Sequence, residues 1–264
     1  MSAFTTFGFH PAIVAAVEKL GFETATPVQA QTMPPLLEGR DVISQARTGS
    51  GKTAAFALPM LELLKDGGRN VRALVLAPTR ELAMQVSEAV SSFSHGLPVS
   101  IATIYGGASY GPQLKALRNG ANIVVGTPGR VIDHLERGTL DLGSVEMLVL
   151  DEADEMLQMG FLDSIERVLE ALPERRKIAL FSATMPTAIR RVSERFLNDP
   201  VTVRVESGPL SVEHIEQYWI HVPQRRKLER RVAGRLSVAA FSALVDKALG
   251  ERAGTFSWDL QPAP

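Results

Sequence analysis

DVISQARTGSGKTAAFALPMLELL, residues 41–64, sets an apolar run, a glycine-bearing loop and a helical pattern in succession. The run 41–45 has the β-branched, nearly all-apolar character of a buried strand, and residues 54–64 read as a helix. Between them, Gly49 and Gly51 allow backbone conformations that turn successive N–H groups toward phosphate oxygens. A helix starting near Lys52 adds the positive end of its dipole. In such a loop Lys52 reaches the β and γ phosphates of a nucleotide, and the Thr53 hydroxyl ligates Mg²⁺. Thr48, Gly49, Ser50, Gly51, Lys52 and Thr53 are therefore the expected nucleotide-binding set. The usual pattern opens on glycine; here that position is Ala46.

Outward from this stretch, similar apolar runs recur at 72–77, 99–105, 122–126, 146–150, 177–181 and 201–206, with amphipathic stretches such as 81–93 and 161–172 between them. Apolar strands alternating with helices predict an α/β domain over about 1–207: a doubly wound, mostly parallel sheet with helices on both faces. Most of the strands run directly into a polar or glycine-containing string: ARTGSGKT, APTREL, YGGAS, TPGR, DEAD and SAT. Open parallel sheets bind ligands beyond the carboxyl ends of their strands, so these strings are expected along one edge. DEAD, residues 151–154, carries the second piece of chemistry. We assign Asp151 to the metal and Glu152 to orienting and deprotonating an attacking water, with Lys52 completing the catalytic set. Read alone, the acids are an N-cap before EMLQMGF; paired with the phosphate loop they read as a nucleotide site.

Bulk properties narrow the class without naming a partner. A net charge of −1 gives no global field toward nucleic acid, so any such site is a local patch. The absence of cysteine excludes a disulfide scaffold and thiolate metal sites, and fits a reducing cytoplasm. MSAFTTFGFH lacks the features of a signal peptide, and no run approaches the ~18 apolar residues needed to cross a bilayer, so a cytoplasmic protein without a membrane partner is expected. The histidines show no metal-ligand spacing; His134 and His221 read as packing or surface residues. Met156 and Met159 read as buried methionines of the helix after DEAD.

These strings together resemble the N-terminal RecA-like domain of the bacterial DEAD-box ATP-dependent RNA helicases, over about residues 4–222. GFETATPVQ, 21–29, resembles the family's Q motif, which with Phe4 upstream spans 4–29. The resemblance implies ATP: Gln29 offers a donor and an acceptor to the adenine edge, and Phe4 stacks on the ring. It also implies RNA, held through its backbone without sequence preference. The implied contacts are Pro78, Thr79 and Arg80 of APTREL, Gly106 and Gly107, and Thr127, Pro128, Gly129 and Arg130 of TPGR. No aromatic platform is expected beside them. Each string alone reads as a helix-capping turn. By the same resemblance Ser182 and Thr184 of SAT bond the DEAD carboxylates, notably Asp154, and couple nucleotide state to RNA grip.

After Glu206 the pattern changes. Residues 208–228 resemble the linker into the family's second RecA-like domain, with a strand-like run at 215–222. A basic stretch, Arg225, Arg226, Lys227, Arg230, Arg231 and Arg235 around Glu229, runs across the boundary into residues 229–264, which then depart from the resemblance with an apolar helix at 237–249 and a frayed end. They contain no second phosphate loop and no string like the family's arginine-finger motif HRxGRxxR. The expectation is a helicase half that binds ATP, Mg²⁺ and RNA but turns over slowly unless a second RecA-like domain, lost or supplied elsewhere, is present. A nucleotide-gated RNA-binding or interaction module without turnover is the alternative from another class; a DNA translocase fits the Q-motif string and DEAD less well.

Overall fold

The computed structural model describes residues 3–47, 49–205, 218–219 and 261–262. Seven apolar runs become seven strands: β1 Val42–Gln45, β2 Ala73–Leu76, β3 Ile101–Ile104, β4 Ile123–Gly126, β5 Met147–Leu150, β6 Lys177–Ser182 and β7 Val201–Arg204. They form one sheet in the order β3-β4-β2-β5-β6-β1-β7, with all neighbours parallel. The helices, in chain order, are α1 Pro11–Lys19, α2 Pro27–Leu37, α3 Lys52–Leu63, α4 Arg80–Phe93, α5 Tyr110–Arg118, α6 Pro128–Glu136, α7 Ala153–Gln158, α8 Leu162–Glu170 and α9 Thr187–Phe196.

Strand side chains alternate between faces, and the core divides accordingly. Val42, Val75, Val125, Val149 and Phe181 point to one face, where α1 to α4 supply Ile13, Met33, Leu58 and Val90. Ile43, Leu76, Val124, Leu150 and Leu180 point to the other, against Val131 of α6, Met156 of α7, Val168 of α8 and Val192 of α9. Fully burying such side chains contributes about 1.5–3 kcal/mol each, which is why an all-apolar strand is stable only with both faces covered.

Polar ties hold the amino ends of the strands. The Asp41 carboxylate accepts from the N–H groups of Ile178 and Asn198, both at 2.7 Å, joining the starts of β1, β6 and β7. Arg72 pairs with Glu146 and donates to the carbonyls of Gly67 and Leu63. With that end fixed, the carboxyl ends all open on the opposite edge.

Residues 1–207 form one compact unit and 208–264 a second. In the second, β8 Tyr218–Trp219 pairs antiparallel with β9 Gln261–Pro262, where a frayed end was expected. The helix expected at 237–249, the basic cluster and His221 lie outside the described residues.

Candidate functional site

The polar strings sort along the edge by strand order. The phosphate loop, SAT and DEAD follow β1, β6 and β5, which are neighbours. APTREL, YGGAS and TPGR follow β2, β3 and β4, which occupy the other half. The seam between the halves lies between β5 and β2.

In the first half, Gly49 and Gly51 take φ of 83° and 92°, the left-handed conformation that the loop's turn requires. A side chain at Gly51 would bring its Cβ to 2.6 Å from Gln29 Nε2, so the loop also needs glycine for space. Thr48 lies outside the described residues. Lys52 starts α3 with its side chain 6% exposed; its Nζ lies 3.7 Å from Glu152 Oε1 and has no hydrogen-bond partner. Ser50 Oγ and Asp151 Oδ1 are likewise buried and unpartnered. Native interiors leave few polar atoms this way. A trio of ammonium, hydroxyl and carboxylate oxygen fits a phosphate bridged to a cation: the first two donate to phosphate oxygens, and the third is a hard metal ligand. Thr53 follows in the first turn, partly exposed.

Burial pushes the Asp151 carboxyl up to about 6, with Lys52 pulling it down and Glu152 pushing it up. Glu152 caps α7 at φ 53°, a left-handed conformation costly for a glutamate. That strain is the means by which the chain turns sharply from β5 and leaves Asp151 and Glu152 facing Lys52. Asp154, 7% exposed, accepts from the Thr184 hydroxyl at 2.7 Å and the Thr184 N–H at 2.9 Å. Burial raises this carboxyl, but the bonds from Thr184 and Ser182 outweigh it and hold it below its ordinary value. The Ser182 hydroxyl accepts from the Asp154 N–H at 3.3 Å and donates to the Thr184 carbonyl at 2.6 Å.

The two residues expected at an adenine ring sit differently from the sequence reading. Phe4 is fully buried against Phe7 and Phe22 and presents no face for stacking. An apolar ring beside two others is more stable there than in water. Gln29 is 1% exposed and its amide is already spent: Oε1 accepts from the Thr26 N–H, and Nε2 donates to the Gly51 carbonyl. Thr26 Oγ1 donates to the Ser50 carbonyl at 2.9 Å. The helix-cap reading of Thr26-Pro27 is thus realised as a capping box that also grips the phosphate loop.

In the second half, Thr79 caps α4 and accepts from the Leu82 N–H at 3.2 Å, behind buried Pro78. Arg80 is exposed, its guanidinium 5.2 Å from the Tyr105 ring centroid. Gly106 and Gly107 are exposed, with nothing within 4 Å of an added Cβ, and Gly107 takes φ 76°. Thr127 caps α6, Pro128 opens it, and Gly129 is exposed. Arg130 departs from the expected surface cation. It is 9% exposed, lies 4.2 Å from the Tyr110 ring centroid, and donates to the Ala108 carbonyl at 3.1 Å. Its charge is spent on holding the chain after Gly107. The aromatics that the sequence reading dismissed are present: Tyr105 and Tyr110 lie within YGGASY itself, and both support guanidinium groups.

Met156 is buried as expected, but Met159 is 51% exposed, because α7 ends at Gln158 and turns it outward. His134 is fully buried and hydrogen-bonded on α6. Among the described residues no helix is long and apolar enough to cross a membrane, and no cluster of three or more His, Cys, Asp or Glu could hold a metal by itself.

Known proteins share this architecture. The sequence model of the DEAD/DEAH box helicase family matches residues 26–192. The ATP-dependent RNA helicase DeaD of Escherichia coli is 52% identical over 220 residues, 83% of this chain and 35% of that protein. The ATP-dependent RNA helicase CshA of Listeria monocytogenes is 48% identical over 229 residues, 87% of this chain and 44% of that protein. The crystal structure of a DEAD box protein from Methanococcus jannaschii matches with a TM-score of 0.75 at 41% identity, covering 87% of this chain and 62% of that one. The chain therefore spans less than half the length of these two curated relatives.

Proposed function

The chain belongs to the DEAD/DEAH box helicase family, and from that premise we propose that it is the N-terminal, ATP- and RNA-binding RecA-like half of an ATP-dependent RNA helicase acting in the cytoplasm. Residues 1–207 are the nucleotide and RNA unit, 208–228 the linker, and 229–264 an atypical tail. The observation that carries this reading is that Ser50 Oγ, Lys52 Nζ and Asp151 Oδ1, at one sheet edge, are buried without hydrogen-bond partners. Three buried polar atoms without hydrogen-bond partners, at or beside the loop, fit a phosphate and a cation together.

In this reading Lys52 and the loop N–H groups of residues 48–51 bind the phosphates, while Thr53 and Asp151 hold Mg²⁺, Asp151 partly through water. Bound ATP–Mg²⁺ supplies the phosphoryl group and the charge that activates it. Glu152 receives a proton from water at its carboxylate, and Lys52, 3.7 Å away, aims that carboxylate. Gln29 and Thr26 set the shape of the loop, Gln29 reaching the adenine edge when its bond to Gly51 opens. Asp154 with Ser182 and Thr184 transmits the loop's state toward the seam. Across it, Thr79, Arg80, Gly106, Gly107, Thr127 and Gly129 offer charge and backbone donors to a ribose-phosphate chain, and Arg130 and Pro128 hold those donors in place.

Nothing in the 264 residues matches HRxGRxxR, so the charge developing on the transferred phosphoryl group lacks an arginine from this chain. Such an arginine contributes on the order of 10³–10⁵ in rate in related systems. Turnover by this chain is accordingly expected near background, rising when a second RecA-like domain is added in trans. Titration with a fluorescent ATP analogue, with and without Mg²⁺, tests the site directly. Binding that is insensitive to Mg²⁺ and to Lys52→Ala would overturn the assignment. Tight ATP and RNA binding with no gain in turnover from an added domain would instead establish the gated binding module.

A further inference from the structure

The loop between β3 and α5 would be mobile if it relied on its own sequence: Gly106 and Gly107 are exposed and make no side-chain contacts. Two side chains tie down the carbonyls around them. Gln113, in the first turns of α5 and 5% exposed, donates from Nε2 to the carbonyls of Tyr105 at 3.3 Å and Ser109 at 3.2 Å. Arg130 from α6 donates to the carbonyl between them, that of Ala108. Both ends of the glycine pair are therefore pinned by groups that reach across from helices.

Carbonyls only accept, so the two bonds fix the orientation of the Gln113 amide and leave its Oε1 as an acceptor. Oε1 faces Nε2 of His134 at 3.3 Å. His134, fully buried on α6, must therefore carry its proton on Nε2 and accept at Nδ1. Nδ1 faces Thr139 Oγ1 at 2.8 Å, whose single hydrogen it shares with the His134 main-chain carbonyl at 3.0 Å. Burial and Arg130 hold the imidazole below its ordinary pKa, with Arg137 adding to them and Asp133 opposing, so the neutral ring is the form present near pH 7. Tyr110 closes the cluster: its ring lies 5.2 Å from the imidazole centroid and its hydroxyl donates to Asp133 at 2.8 Å.

We infer that Gln113 and His134 are positioning residues for RNA binding, a buried relay that locks the glycine pair 106–107 to the TPGR helix and presents its backbone to the nucleic acid. This rests on the reading of that half as the RNA grip. Neither residue touches RNA in this scheme. Their effect is to remove, before binding, the conformational freedom that two adjacent glycines would otherwise lose on binding. A packing role alone would be indifferent to which nitrogen of His134 carries hydrogen; the relay requires a donor at the Nε2 position.

The test uses the full chain, a labelled unstructured oligoribonucleotide at low salt and a fluorescent ADP–Mg²⁺ probe. Gln113→Leu and His134→Phe are expected to weaken RNA roughly five- to twentyfold, the scale of one or two lost hydrogen bonds. Nucleotide affinity should stay within about twofold of wild type on the same scale. His134→Gln, whose amide N–H reaches the Nε2 position, should restore most RNA affinity although it fills the ring's volume less well than Phe. Hydrogen exchange at residues 106–108 should quicken in His134→Phe and not in His134→Gln. Should Gln113→Leu melt out, the His134 pair decides alone. Equal RNA affinity in Phe and Gln variants would overturn the relay. Arg80→Ala separates the two layers. If it weakens RNA while the Gln113 and His134 variants bind as wild type, the relay fails and the RNA reading stands. If Arg80→Ala also has no effect, the RNA reading itself fails.

Discussion

The ends of β1, β5 and β6 and the ends of β2, β3 and β4 open on the same side of one sheet, yet they treat their polar groups in opposite ways. The first half leaves Ser50 Oγ, Lys52 Nζ and Asp151 Oδ1 buried without hydrogen-bond partners. The second leaves Arg130 Nε in that state but spends Gln113, His134, Thr139 and Tyr110 on one another, on Asp133 and on a loop. The difference follows from the ligands proposed for each. A triphosphate with its metal is small, highly charged and can fill a buried site completely. A ribose-phosphate chain is long and solvated, and is best met by a surface already in shape. Strain follows the same division: Glu152, one of two non-glycine residues with positive φ among those described, sits in the first half.

The largest effect should come from the residue assigned to the attacking water. With a second RecA-like domain and RNA present, Glu152→Gln is expected to lower phosphate release about 10²–10⁴-fold, the usual contribution of general acid–base catalysis. Nucleotide binding should be nearly intact, because the amide keeps the shape beside Lys52. Unchanged release would move the base elsewhere and remove the catalytic distinction between the halves. Next in size, Lys52→Ala should weaken nucleotide roughly 10–100-fold, the scale of charge-assisted bonds to phosphate. RNA affinity in the absence of nucleotide should hold; equal loss of both ligands would mean that the halves are one site.

The unfilled half also makes a stability prediction of unusual sign. Asp151 is pushed up to about 6, above the roughly 3.9 of an unfolded-chain aspartate. The folded chain therefore binds this proton more tightly than the unfolded chain. That contribution is complete below about pH 4 and is lost as pH rises through about 6, so the nucleotide-free protein becomes less stable toward neutrality. A shift of this size is worth about 3 kcal/mol at most. Asp151→Asn should flatten the decline and be the more stable protein at pH 7.5 by about 1–3 kcal/mol, a rise of several degrees in melting temperature for a unit this size. Parallel urea profiles from pH 5 to 7.5 would show that the carboxylate is not held at a cost.

Much of this was readable in advance, for physical reasons that also mark where reading stopped. Strands such as MLVL and NIVVG are legible because a sheet covered on both faces admits only apolar residues. Gly51 and Lys52 are legible because the phosphate loop needs that conformation and that charge in fixed order. At Arg130 a sequence shows the charge and not the neighbour: only the fold brings Tyr110 beneath it and Ala108 within reach. Gln113 and His134 had no local signal, since their bond joins α5 to α6. Gln29 and Phe4 were read by what their chemistry could offer a base, whereas the folded chain satisfies both from within.

The smallest effect belongs to the tie between the loops after β5 and β6, beside the seam where β5 meets β2. Thr184→Val removes the hydroxyl that donates to Asp154 and leaves the N–H bond in place. Because Thr184 is exposed, water can replace part of what is lost, and the stability cost should be only about 0.5–1.5 kcal/mol at neutral pH. The cost has a signature. The Asp154 carboxyl is held below its ordinary value, so the bond's contribution is present above the unfolded-chain pKa and is lost as pH falls through the lowered folded value. The gap between wild type and Thr184→Val should therefore close in strong acid. If the tie links the halves, the variant should bind ATP analogue and RNA singly about as well as wild type. It should lose the factor by which each ligand strengthens the other, which by linkage must be equal in both directions. A variant that keeps that factor would show that the two halves communicate by another route, and Asp154–Thr184 would then be a strut of the nucleotide half alone.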